Sequence, residues 1–205
     1  LNNPYRSVAC SAGQYGRYVC IDAPAGKFVS STGAMFATSA DAGYYVNSTL
    51  GTGQTNQTAC PEGTFNPNKG SSISSDCIQA EQGHFIELSQ GPAQSSQSQC
   101  PTGTFNPNSG STSSSDCINA DAGHYVSALG QSSQTPCLNG TYNPNTGSTN
   151  SSDCLNADPG YYVSVSGQSE QTPCSPGTYN PENGSSICYD ADEGFYVSTS
   201  GQFNQ

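Results

Sequence analysis

Residues 117–137 read CINADAGHYVSALGQSSQTPC, and residues 154–174 repeat them as CLNADPGYYVSVSGQSEQTPC. The segment has no helical period and almost nothing apolar to bury. Repetition at a fixed spacing is the mark of a tandem array, in which one small unit buries its face only against a neighbour. Working outward, eleven Gly, each followed two residues later by Tyr or Phe, form a series from Gly13/Tyr15 to Gly194/Tyr196 at intervals of 13 to 20 residues; Gly16/Tyr18 and Gly201/Phe203 fall outside that series.

Three residues before each such Gly stands an opening residue, and three residues before the next opener stands a closing one. This frame divides the chain into eleven modules. Modules 1 to 6 are residues 10–20, 23–37, 40–57, 60–77, 80–97 and 100–117. Modules 7 to 11 are residues 120–134, 137–154, 157–171, 174–188 and 191–205. A Cys opener always has a Cys closer; an Ala opener closes on Gln, or on Ala37 in module 2. Stapled and unstapled modules alternate from Ala40 onward, as a two-module unit of about 37 to 40 residues that shortens to 34 between Ala157 and Ala191. The opening stretch is therefore a closer, one whole unstapled module and the next opener.

Composition explains why staples are needed. Leu, Ile, Val and Phe make up only 27 of the 205 residues. A chain so poor in apolar side chains cannot offset its ordering entropy by burial alone. Ten Cys in a polar, Gly- and Pro-punctuated sequence read as a disulfide framework in an oxidising compartment. Zinc is disfavoured, because no C-x-x-C occurs and neither His lies in a Cys cluster. Pairing within modules gives Cys10–Cys20, Cys60–Cys77, Cys100–Cys117, Cys137–Cys154 and Cys174–Cys188 and uses every Cys. The rival joins each closer to the next opener, which strands Cys10 and Cys188 and ties Cys20 to Cys60. Each closed loop of roughly 15 residues contributes about 3 kcal/mol in the chain-entropy model.

The expected fold is all-β and irregular: a disulfide-stapled tandem-repeat rod of small hairpin modules with little or no helix. Runs such as HYV, YYV and FYV read as short strands. Asn-Pro in FNPN, YNPN and YNPE favours a turn or extended backbone and excludes helix. Aromatics are expected to stack between neighbouring modules. Three regions result: an N-terminal segment with the first stapled module (1–22), two consecutive unstapled modules (23–59), and the alternating array (60–205). The second region holds the single Met. Met35 and Phe36 there are expected to form an assembly contact, unless the two unstapled modules cover each other. The sequence begins without Met or a signal peptide and stops at a module boundary, so a mature product or a portion of a longer array is expected.

The stapled module CPTGTFNPNSGSTSSSDC, residues 100–117, resembles the small cysteine-rich modules of growth-factor-receptor, ephrin-receptor and tumour-necrosis-factor-receptor ectodomains. These repeat a Cys, a Gly-x-aromatic, a Gly-bearing turn and a closing Cys as a disulfide ladder. The resemblance runs from Cys10 to Gln205. Here the junction is C-x-x-A or Q-x-x-C in place of C-x-x-C, so every second disulfide of the ladder gives way to an Ala/Gln pair. The resemblance implies an extracellular array and no particular function.

Asn47, Asn56, Asn139, Asn150 and Asn183 stand in N-x-S/T sequons and are the expected N-glycosylation sites. Runs such as STSSSD are candidate O-glycan sites by composition. Acids recur at the junctions, as in Asp116 with Asp121 and Asp153 with Asp158; turn capping accounts for them better than calcium. His84 and His124 share one module position that other modules fill with Tyr44, Tyr161 or Phe195, so packing is a better reading than catalysis. No nucleophile–base pair or phosphate loop is visible, so neither an enzyme nor a cofactor is expected. A net charge of −11 with four Lys and Arg disfavours nucleic acid and anionic membranes. No stretch is long enough to insert in a bilayer. The sequence thus points to a secreted, glycosylated structural protein at the cell surface, a building block of a filament, sheath or appendage. Its expected partners are copies of itself or further repeats. The alternative is a receptor or adhesin stalk binding a protein or glycan.

Overall fold

The computed structural model describes residues 9–91 and 93–205. Residues 1–8 of the expected N-terminal segment lie outside the described residues. The chain is all-β: two-residue strands form antiparallel hairpins, and the helical turns among the described residues are three-residue 3-10 turns. Contacts divide it into two compact units, Leu1–Ser98 with Ser109–Ser114, and Gln99–Asn108 with Ser115–Gln205.

The second unit shows the rule most regularly. In each hairpin the residue after the Gly and the aromatic form one strand, and the two residues before the next opener form the other. Thr104 and Phe105 pair with Asn119 and Ile118, His124 and Tyr125 with Pro136 and Thr135, and Thr141 and Tyr142 with Asn156 and Leu155. The Gly sits at the third position of a tight turn. In module 7 the turn is closed by the His124 N–H donating to the Asp121 carbonyl at 3.0 Å, with Gly123 at φ +84°. A positive φ at that position is what a type II turn demands and a side chain resists.

Neighbouring modules are joined by backbone hydrogen bonds. Between modules 7 and 8, Gly123 donates to the Asn143 carbonyl at 2.7 Å and Val126 to Ser148 at 2.9 Å. In return Gly147 donates to the Ala120 carbonyl at 2.7 Å. The same three bonds join modules 8 to 9 and 9 to 10, as in Gly140 to Val163 and Gly160 to Asn180. The aromatic ring contact in this unit, Tyr179 with Tyr189 at 6.3 Å, lies across the hairpin that closes module 10, Tyr189 following its closer, and not between successive turn aromatics. Backbone bonding thus does the joining expected of ring stacking.

Each module also packs on the next but one. A Cβ on Gly140 of module 8 would overlap the Gly184 carbonyl of module 10, and one on Gly123 of module 7 would overlap the Gly167 carbonyl of module 9. Two modules therefore make one turn of the winding. Within this unit, stapled modules 6, 8 and 10 line up in one column and unstapled modules 7, 9 and 11 in the other.

The first unit follows the same scheme. Gly43 donates to Asn66, Val46 to Ser71, and Gly70 back to Ala40, at 2.7 to 2.9 Å. Modules 3 and 5 carry 3-10 turns, Ser48–Leu50 and Leu88–Gln90, which push the second Gly position three residues later, to Gly53 and Ala93. Module 1 lacks that second Gly altogether, its loop closing after Arg17, Tyr18 and Val19. Because modules 2 and 3 are both unstapled, stapled module 1 stacks with unstapled modules 3 and 5, and unstapled module 2 with stapled module 4.

Each unit has a small core. It holds the openers, such as Ala120 and Cys137, and the residue three after each turn Gly, alternately Val or Ile and Asn: Val46, Asn66, Ile86, Asn106, Val126, Asn143, Val163 and Asn180. Asn66, Asn106, Asn143 and Asn180 are each fully buried. The Asn143 amide donates to the His124 carbonyl of the preceding module at 3.3 Å and to Ser148 Oγ at 2.8 Å, and its oxygen accepts the Asn145 N–H at 3.1 Å. Satisfied on each polar atom, it costs little to bury. No buried side-chain polar atom among the described residues lacks a partner.

Candidate functional site

What repeats along this chain is the device that closes each module. In stapled modules it is a disulfide: Cys10–Cys20, Cys60–Cys77, Cys100–Cys117, Cys137–Cys154 and Cys174–Cys188, with Cα atoms 5.4 to 5.8 Å apart. No Cys among the described residues is free.

In unstapled modules the Gln closer and the acid after the Ala opener form a two-bond ring. Gln57 Oε1 accepts the Asp41 N–H at 2.8 Å while Gln57 Nε2 donates to the Asp41 carboxylate at 3.0 Å. Gln97 does the same with Glu81, Gln134 with Asp121, Gln171 with Asp158 and Gln205 with Asp192. Like the disulfides, these clamps start from the closer, but they end one residue past the opener rather than on it. Module 2 has neither, since Pro24 follows its opener and Ala37 closes it. The Ala/Gln pairing is visible in the sequence. The role of the acid is not, because it needs the closer brought alongside the turn. The acids before the closing Cys act differently: Asp153 accepts the Thr149 and Asn150 N–H groups at 3.0 Å, capping a 3-10 turn.

The sequons lie on accessible surface. Asn56, Asn139, Asn150 and Asn183 are exposed and Asn47 is half-buried. Asn47 Oδ1 accepts from the Thr49 N–H and from Thr49 Oγ1 at 2.7 Å, and Asn150 Oδ1 from the Ser152 N–H at 3.0 Å. Met35 and Phe36 are 46% and 80% exposed, so the unstapled modules around them leave both uncovered. Phe195, Tyr196 and Phe203 of module 11 are also exposed.

The two His residues face backbone. Nδ1 of His84 lies 3.0 Å from the Gln82 carbonyl, and that of His124 lies 3.3 Å from the Ala122 carbonyl. Among the described residues no three His, Cys, Asp or Glu side chains come together as metal ligands. No helix there is long and apolar enough to cross a membrane. A concavity of about 350 Å³ lies between modules 7 and 8 and is lined by Tyr125, Pro136, Leu138, Thr141 and the Cys137–Cys154 loop.

Fold and closures together define a class: disulfide-rich tandem hairpin repeats, an extracellular structural or ligand-binding architecture. The staple density fits an oxidising, extracellular setting. No protein-family model and no curated protein matches the chain.

Proposed function

We propose that this chain is an extracellular structural protein, the building block of a glycosylated surface filament, sheath or appendage. The observation that carries the reading is that every module except module 2 is closed, by a disulfide or by a Gln–acid clamp. The backbone ladder then passes load from module to module within each unit. Such construction resists unfolding and proteolysis while needing little core. N-linked sugars at Asn47, Asn56, Asn139, Asn150 and Asn183 would shield a surface with few charges. Met35 and Phe36 would be covered by another copy or by further repeats. The reading needs no catalytic group, metal or cofactor.

Electron microscopy of the native, unreduced secreted material tests this. Regular fibres built from the chain are expected, with mass shifts on enzymatic deglycosylation. Isolated short particles at every concentration would overturn it. A second reading, a receptor or adhesin stalk, draws on the cleft beside Tyr125 and Leu138, whose Thr141 and Ser151 hydroxyls suit a glycan or peptide ligand.

A further inference from the structure

The residue after each closing Cys is apolar, and it pairs across the hairpin with the module's aromatic. In the second unit the pairs are Phe105 with Ile118, Tyr142 with Leu155, and Tyr179 with Tyr189. Directly opposed residues in an antiparallel pair lie on one face. The aromatic of each pair is half-buried, while Ile118, Leu155 and Tyr189 are 46%, 46% and 42% exposed. In the unstapled modules of this unit the same position holds Thr135 or Thr172. Because modules 6, 8 and 10 stack directly, the apolar pairs form a stripe down one column, and the other column is polar at that position. Leu138, 72% exposed, and Ile187, 54% exposed, belong to the same column.

We propose that this stripe is a lateral contact with the same stripe of a second copy of the chain. The proposal rests on the filament reading and deepens it, by naming the surface through which copies lie side by side.

Three observations select a second copy as the occupant. The first is period. The stripe offers one apolar pair per two modules, and a second copy presents the same spacing. The second is charge. Residues 70–205 contain no Lys or Arg. Two copies therefore repel wherever acids face each other. The clamp acids Asp121, Asp158 and Asp192 all lie in the unstapled column. At the equivalent position the stapled column has Pro101, Leu138 and Ser175. The stapled column's own acids are Asp116, Asp153, Glu182 and Asp190, outside the clamp position; the Asp153 carboxylate is engaged by backbone N–H groups. The third is area. Eight apolar residues fall well short of the roughly 20–30 residues a side of a stable interface. The contact is therefore weak for one chain and strong only when many copies align.

The test is sedimentation equilibrium of the purified glycosylated chain over a wide concentration range. The comparison is the triple variant Ile118→Thr, Leu155→Thr, Tyr189→Thr. Thr is what the unstapled modules carry at this position, so the variant keeps the hairpins. Circular dichroism and an unchanged disulfide map verify that. The expected result is reversible self-association of the native chain that tightens with added salt, because salt screens acid–acid repulsion. The triple variant should bind itself at least tenfold more weakly.

A native chain that stays monomeric at high concentration overturns the proposal. So does a triple variant that associates as well as the native chain, which would place the contact at Met35 and Phe36 or at module 11. Association that weakens with salt overturns it in favour of a contact made through charge. A glycosylated chain that stays monomeric while the deglycosylated chain pairs overturns it too, and assigns the stripe to cover by the chain's own sugars. Failure of the filament reading looks different: native fibres are absent by microscopy. Thin, unpaired fibres would leave that reading standing and sink only the lateral contact.

Discussion

Gln134 holds Asp121 twice: its side-chain oxygen accepts the Asp121 N–H at 2.6 Å, and its amide nitrogen donates to the Asp121 carboxylate at 2.6 Å. The pair closes module 7 from the closer position, where module 8 has Cys154, to the residue after the opener, one past the position of Cys137. Gln134→Ala removes both bonds. On an exposed ring they are worth about 1 kcal/mol in total. A denaturant melt should show a loss of that size, with the five disulfides intact.

Clamp and staple share the closer and end one residue apart at the opener, so a staple should be able to replace a clamp. Ala120→Cys with Gln134→Cys should form a sixth disulfide without reshuffling the other five. Closing a loop of this length adds about 3 kcal/mol. Peptide mapping without reduction checks the pairing, and thermal unfolding checks the gain. A scrambled map would mean that Ala120 and Gln134 are not held as the stapled pairs are.

The buried Asn positions should be intolerant of the residue that replaces them in alternate modules. Asn143→Val is close in volume and copies Val126 and Val163. It strands the buried Ser148 hydroxyl together with the part-buried His124 carbonyl and Asn145 N–H, which Asn143 now satisfies. Stranded buried groups cost about 1–3 kcal/mol each. A loss of more than 2 kcal/mol in chemical denaturation is expected, well beyond the Gln134→Ala effect.

Ala93 is the one non-Gly residue with positive φ among the described residues, at +72°. It stands where other modules place Gly53, Gly70 or Gly147 at φ +70° to +77°. An L side chain in that region costs about 1 kcal/mol. Part of the relief in Ala93→Gly is offset by the freer unfolded chain. A net rise in stability of about 0.5 kcal/mol is expected, and any loss would show that the Ala93 methyl is held by packing.

Module 2 should be the weak link. Hydrogen exchange should be fastest, outside the chain ends, in the Lys27–Phe28 and Thr38–Ser39 hairpin, because neither staple nor clamp closes it. Introducing Ala23→Cys with Ala37→Cys should slow exchange there and leave module 9 unchanged.

Much of this architecture was legible in the sequence because the repeat is written in rigid residues. Gly at a turn, Pro after Asn and Cys at a fixed interval each restrict the backbone locally, so hairpins and the absence of long helix follow from spacing. The Asn of FNPN was harder. Asn beside Pro suggests a surface turn, yet Asn66 and Asn106 are the core. Their amides are satisfied by carbonyls and hydroxyls brought together only by folding. The sequons were legible as a motif, but their accessibility needed the structure.

The sequence by itself determined the module: where it opens, where it closes, and which modules carry Cys at both ends. The tertiary structure decided what holds the modules together. Asp121 meets Gln134 because the module's own hairpin brings its ends together, whereas the burial of Asn143 and the sharing of a column by stapled modules depend on two modules making one turn. That winding places each module beside the next but one. It is set by hydrogen bonds between backbone groups that all residues but Pro possess, so no side-chain pattern announces it.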